Sequence, residues 1–122
     1  MRGVFLTAML LVLLMDAPAL AVESANKMLP ACKRFIESPK PPPGDAGLID
    51  VSEQSLCVGM VDGLFYVSPI LPPEQRACPP PGVSKEQSVR VVVAYIERYL
   101  HRAHLSFKLL ALEAFHEAWP CK

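Results

Sequence analysis

An all-α domain of four helices, stapled by two disulfides, is the fold this chain predicts, on three observations. Apolar residues recur at helical spacing in four segments, with no alternating strand pattern between them. Prolines and glycines gather in the stretches that separate those segments. All four cysteines lie beyond a short apolar leader, which sends them to a compartment where thiols are oxidised.

The leader reads as a cleaved export signal. Arg2 is its lone basic residue, Val4 to Met15 is apolar and uncharged, and Ala19-Leu20-Ala21 supplies the small residues of a cleavage site. A membrane helix needs about 20 apolar residues, and this run is shorter and broken by Asp16. Cleavage after Ala21 leaves residues 22–122 as one domain, released from the membrane. Leu29-Pro30-Ala31-Cys32 looks like a lipoprotein box, but Glu23, Asn26 and Lys27 part it from the apolar run, so Cys32 is not expected to carry lipid.

The first helix is expected from Glu23 to Ile36, with Met28, Leu29, Cys32 and Ile36 or Phe35 on one side; Pro30 either kinks it or marks its true start. Ser38 to Asp50, rich in proline and glycine, reads as a linker. The second helix opens at Asp50 or Ser52, either of which can cap free amides, and runs through Leu56, Met60, Leu64 and Val67 until Pro69 ends it. Gly59 and Gly63 share one of its faces, each costing up to ~1 kcal/mol relative to alanine. Such a cost is accepted for close backbone approach, so this face reads as a helix-packing seam, between the chain's own helices or between two copies.

Pro69 to Gly82 holds six prolines and Cys78 and is expected to be extended and solvated. Ser84 and Gln87 form a capping box for the third helix, in which Val89, Val92 or Val93, Ile96 and Leu100 recur. The run Val91-Val92-Val93 suits a strand, but the cap and the stretch from Ala94 to Leu100 decide for helix. The fourth helix spans His104 to Ala118, with Leu105, Leu109, Leu112 and Phe115 or Trp119 inward, and Pro120 stops it.

Four cysteines allow three pairings that spacing alone cannot separate. Helix order separates them. Antiparallel first and second helices set Cys32 level with Cys57, and a hairpin of the third and fourth returns Cys121 to the loop that carries Cys78. On the loop-entropy model each bond adds at most about 3.5 to 4 kcal/mol.

Composition and motifs weigh against catalysis. Twelve basic and twelve acidic residues leave the chain formally neutral, the leader removing one of each, and the scattered basic residues form no nucleic-acid footprint. An even number of cysteines leaves no free thiolate. His101, His104 and His116 with Glu113 and Glu117 lack zinc spacing and read as solvated surface, so no metal or other cofactor is expected. Ser88 and Ser106 sit in no nucleophile elbow, and Gly59 and Gly63 form no phosphate loop. The pairs Glu53/Asp62 and Glu113/Glu117 read as solvated faces, not as catalytic carboxylates. What remains is a binding role, its specificity carried by Tyr95, Arg98, Tyr99, His101, Arg102 and Phe107, since tyrosine and arginine are common anchors. Tyr95 and Phe107 read better as edges of the core.

Ser55 to Gly63, with Cys57, Gly59 and Gly63 as CxGxxxG, followed by Val83 to Cys121 with its Val89–Ile96 run and terminal Trp119-Pro120-Cys121, resembles the Rap/Tai family of immunity proteins. The likeness covers Leu56 to Cys121, and Cys32 suits it. It implies a small periplasmic helical protein associated with type VI secretion, which binds and blocks a peptidoglycan amidase toxin and tends to be a homodimer. The chain departs from the family pattern at Met60 and Trp119, and at Tyr99-Leu100-His101, where the family commonly has a histidine-proline-glutamate turn; that change is expected to extend the third helix and reshape its loop. Two other roles fit the same scaffold: a periplasmic chaperone exposing apolar surface on protonation, and an envelope protein without inhibitory activity.

Overall fold

Four α-helices carry the chain: α1 (Ala25–Glu37), α2 (Asp45–Val67), α3 (Lys85–Arg98) and α4 (Phe107–Ala118), with single 3-10 turns at Ser68–Ile70 and Leu100–Arg102. This computed structural model describes residues 23–37 and 43–122; the expected leader, residues 1–21, and residues 38–42 of the proline linker lie outside them. Among the described residues there is no strand, only an isolated bridge between Ser24 and Ser106. Every helix touches the other three, around a core of Met28, Val61, Val89, Val92, Ile96, Phe107, Leu110 and Phe115.

Both expected disulfides are present. Cys32–Cys57 ties α1 to α2 with Cα atoms 5.5 Å apart, and Cys78–Cys121 ties the proline-rich strap to the end of the chain with Cα atoms 5.0 Å apart. Cys32 is fully buried in its bond, which agrees with its reading as unlipidated.

The helix starts show how the chain satisfies its free amides. α1 begins at Ala25 and runs through Pro30, whose exposed position lets solvent serve the carbonyl that the ring cannot. Its first two amides donate to the carbonyls of Leu105 (2.9 Å) and Ala103 (2.8 Å), and in return the Phe107 amide at the head of α4 donates to the Glu23 carbonyl (2.8 Å). Two helix starts thus cap each other through backbone alone. α3 uses the expected side chain, Ser84 Oγ accepting from the Gln87 amide at 3.1 Å.

α2 starts at Asp45, inside the stretch expected to be linker. The prolines stop at Pro43, Gly44 turns the chain at a positive φ of 76°, and the single Gly47 that follows is too weak a breaker to delay the helix. Neither expected residue caps it: Ser52 Oγ donates to the Ile49 carbonyl, and Asp50 accepts from Arg34 and Gln54.

In two helices the most buried residues differ from those the sequence singled out, although Met60, Leu64, Leu105, Phe115 and Trp119 do pack in or against the core. α2 turns Cys57, Val61 and, just past its end, Ser68 fully inward, while Leu56 and Val67 are exposed. Its sequence is apolar nearly all round, so periodicity could not choose a face, and the sulfur bond to α1 chooses it. α4 begins at Phe107 instead of His104 and buries Phe107, Leu110, Ala111, Ala114 and Phe115, leaving Leu109 exposed; the two alanines let neighbouring helices come close. Leu100, expected inward, lies beyond the end of α3 and is 60% exposed. The strap after Pro69 is anchored at its middle, where Ala77 is fully buried and its amide donates to the Ser68 carbonyl at 3.2 Å. Phe65, Phe115 and Trp119 close the same end, with ring centroids 5.6 to 5.7 Å apart.

Gly59 and Gly63 are no seam within the chain. Both are exposed, and a Cβ added at either meets nothing within 4 Å. Gly59→Ala and Gly63→Ala are therefore expected to raise the stability of the single chain by up to about 1 kcal/mol each, read as an upward shift of the thermal midpoint at a concentration where it is monomeric.

Candidate functional site

The corner where α3 passes into α4 gathers five of the six residues expected to bind a partner, Tyr95, Arg98, Tyr99, His101 and Arg102. α3 does not extend there: it ends at Arg98, Tyr99 leaves helical geometry at φ −115°, and Leu100–Arg102 form a single 3-10 turn. Backbone bonds hold that turn closed, from Arg102 N–H to the Tyr99 carbonyl (2.8 Å) and from Ala103 N–H to that of Leu100 (3.0 Å). From beneath, the amides of α1 grip the carbonyls of Ala103 and Leu105.

Side chains lock the same corner. The Arg102 guanidinium makes a two-pronged contact with Glu113 on α4, 2.7 Å to Oε2 and 2.9 Å to Oε1. Tyr95 donates its hydroxyl to the same Oε2 at 2.8 Å and accepts from Arg102 at 3.2 Å. One turn further along, Arg98 pairs with Glu117. The hydrogen bond from Arg102 holds the Glu113 carboxyl below its ordinary value of 4.5, against the opposing effect of partial burial, and Glu113 in turn raises Arg102 above its own. Burial first, and then the bond to Glu113, push Tyr95 above the usual phenol value.

The five residues therefore divide. Tyr95 is buried and Arg98 and Arg102 are spent on glutamates of α4, so these three build the corner. Tyr99, half buried, rests its ring 4.8 Å from that of Tyr95. His101 is exposed, beside Leu100, which sequence reasoning had sent to the core. Phe107 is fully buried, as its reading as core implied. Sequence reasoning missed Glu113 as a partner of this corner, although two arginines four apart, at the end of α3 and in the turn after it, and two glutamates four apart on α4 carried the signal of antiparallel neighbours.

Three other titratable residues that the sequence singled out take partners elsewhere. His116 Nδ1 lies 2.6 Å from the Arg76 carbonyl on the strap, Asp62 pairs with Lys85 at 3.1 Å, and Glu53 with Arg34. Ser88 is buried and donates to the Lys85 carbonyl at 2.7 Å. Among the described residues no three His, Cys, Asp or Glu side chains gather as a metal site, and no helix is long and apolar enough to cross a membrane. A second surface feature is a groove of about 490 Å³ beside the exposed face of α2, lined by Phe35, Val51, Val58, Gly59, Asp62 and Lys85.

The arrangement is one of surface: a small apolar and imidazole tip on a cross-linked foundation. The profile of the Rap1a immunity proteins matches residues 24–121. No curated protein and no solved structure matches the chain. A match that runs from the Ser24 bridge to Cys121, and so takes in all four helices and both disulfides, makes this chain a member of the Rap1a immunity protein family.

Proposed function

We propose that the protein is an exported, periplasmic immunity protein that binds a peptidoglycan amidase toxin of a type VI secretion system and blocks it by occupying its active-site cleft. The observation that carries this reading is the α3–α4 corner, where the exposed Leu100 and His101 stand on a foundation fixed by Arg102, Glu113, Tyr95 and the first turn of α1. A tip already ordered before contact loses little conformational freedom on binding, which favours tight association by a small surface. No reactive group is needed, because occlusion alone stops the enzyme.

The face of α2 around Gly59 and Gly63 supports a second contact, a homodimer. Leu56, Tyr66 and Val67 are exposed on the same helix, and Ile70, in the turn that follows it, is 80% exposed. Two helix-weakening residues kept where the chain has room for a side chain fit close approach by another copy's helix.

Purified with a type VI peptidoglycan amidase of its own cell, the protein is expected to abolish release of cell-wall peptides at equimolar ratio, and deletion of its gene to sensitise cells to that toxin. Leu100→Asp should weaken the complex by about tenfold or more, with an unchanged melting curve. If no secreted amidase is inhibited and deletion sensitises cells to none, the reading fails.

Glu113 predicts a pH dependence. Its folded value lies below 4.5, so the grip on Arg102 is complete above that value and is lost as the pH falls through the lower, folded value. The protection factors of the Arg102 and Ala103 amides, measured exchange taken relative to the intrinsic rate at each pH, are expected to hold from pH 7 down to pH 5 and to fall in stronger acid, whereas in Glu113→Gln they should be about tenfold lower throughout. For the dimer, light scattering of the oxidised protein should give twice the mass of one chain, and Gly63→Leu should reduce it to one without loss of helix.

A further inference from the structure

The two disulfides differ in exposure, and access is one of the properties that govern exchange. Cys32 and Cys57 are both fully buried, under the core that α1 and α2 share. Cys78 is exposed and Cys121 half exposed, on a strap and a chain end with solvent on their outer side.

The strap is also held without sulfur. Cys78 N–H donates to the Trp119 carbonyl at 2.8 Å, and Ala77 N–H to that of Ser68 at 3.2 Å. Arg76 offers its carbonyl to His116 at 2.6 Å and turns its guanidinium back to the Leu71 carbonyl at 2.9 Å. Ala77 is fully buried, and Trp119 lies stacked on Phe115. None of these contacts runs through sulfur.

We propose that Cys78–Cys121 is a thiol–disulfide exchange site that a dithiol opens in the folded protein by attack at Cys78, while Cys32–Cys57 is closed to the same reagent. The incoming thiolate bonds to Cys78 Sγ, the bond between the two protein sulfurs breaks, and Cys121 leaves as a thiolate that takes up a proton. The second thiol of the reagent, as its thiolate, then attacks the mixed disulfide and frees Cys78. The reagent becomes a disulfide, and its two electrons and two protons reside on Cys78 and Cys121. The partner class is an oxidoreductase with a Cys-x-x-Cys dithiol, whose neighbouring thiol resolves the intermediate. The inference goes beyond toxin binding and does not rest on it.

The test treats the folded, oxidised protein with dithiothreitol, and separately with a reduced Cys-x-x-Cys oxidoreductase, quenches with iodoacetamide and maps the labelled peptides. Cys78 and Cys121 are expected to be alkylated at least about 100-fold faster than Cys32 and Cys57, with circular dichroism unchanged while they react. A form of the oxidoreductase that lacks its resolving cysteine should be trapped on Cys78. Simultaneous opening of both bonds, earlier opening of Cys32–Cys57, loss of helix as Cys78 is labelled, or trapping on Cys121 overturns the proposal. The double variant Cys78→Ser, Cys121→Ser separates local opening from unfolding: it should keep its helix content and an unreactive Cys32–Cys57 bond, and failure to fold overturns the proposal as well.

Discussion

The buried bond between Cys32 and Cys57 decides which way α2 faces, and most of the molecule follows from that. α2 is apolar on nearly all sides, and such a helix has no preferred rotation of its own. The sulfur link to α1 turns Val61 and Ser68 toward the core and brings Phe65 against Phe115 and Trp119. The same rotation sends Leu56, Gly59, Gly63 and Tyr66 to the surface, so one covalent contact sets both the core and the most apolar outer face.

The opposite end depends on polar contacts. α1 and α4 begin side by side and each supplies a carbonyl-bearing segment to the other's free amides, which leaves the α3–α4 connection pinned from below. From the side, Arg98 and Arg102 reach Glu117 and Glu113 in reverse order, as antiparallel neighbours require. Each pair is partly exposed and contributes modestly alone. Their joint effect is geometric: a three-residue turn with few contacts of its own takes one conformation because everything around it is tied.

The number of helices, the Ser84 cap and both sulfur pairings were legible in the sequence, because each rests on local spacing or on the order of elements along the chain. So was the gathering of Tyr95, Arg98, Tyr99, His101 and Arg102, which lie within eight consecutive positions. Which residues lie deepest was not legible. The stretch expected as the fourth helix offers leucines at 105, 109 and 112 and an alternative face at Phe107, Leu110, Ala111 and Ala114; only packing in the folded chain shows that the smaller alanines belong inside. The start of α2 at Asp45 was missed because Gly47 looked like a continuation of the proline-rich breaker. Where Tyr99-Leu100-His101 was expected to lengthen α3, the turn at Tyr99 shows that the hairpin's short connection prevails over helix propensity.

The carbonyl of Glu23 accepts the first amide of α4, and Ser24 lies in the bridge to Ser106. An exopeptidase working inward from the amino side would therefore meet a boundary of architecture rather than of sequence. Once past Ser24 it strips the latch from a helix more than eighty positions away.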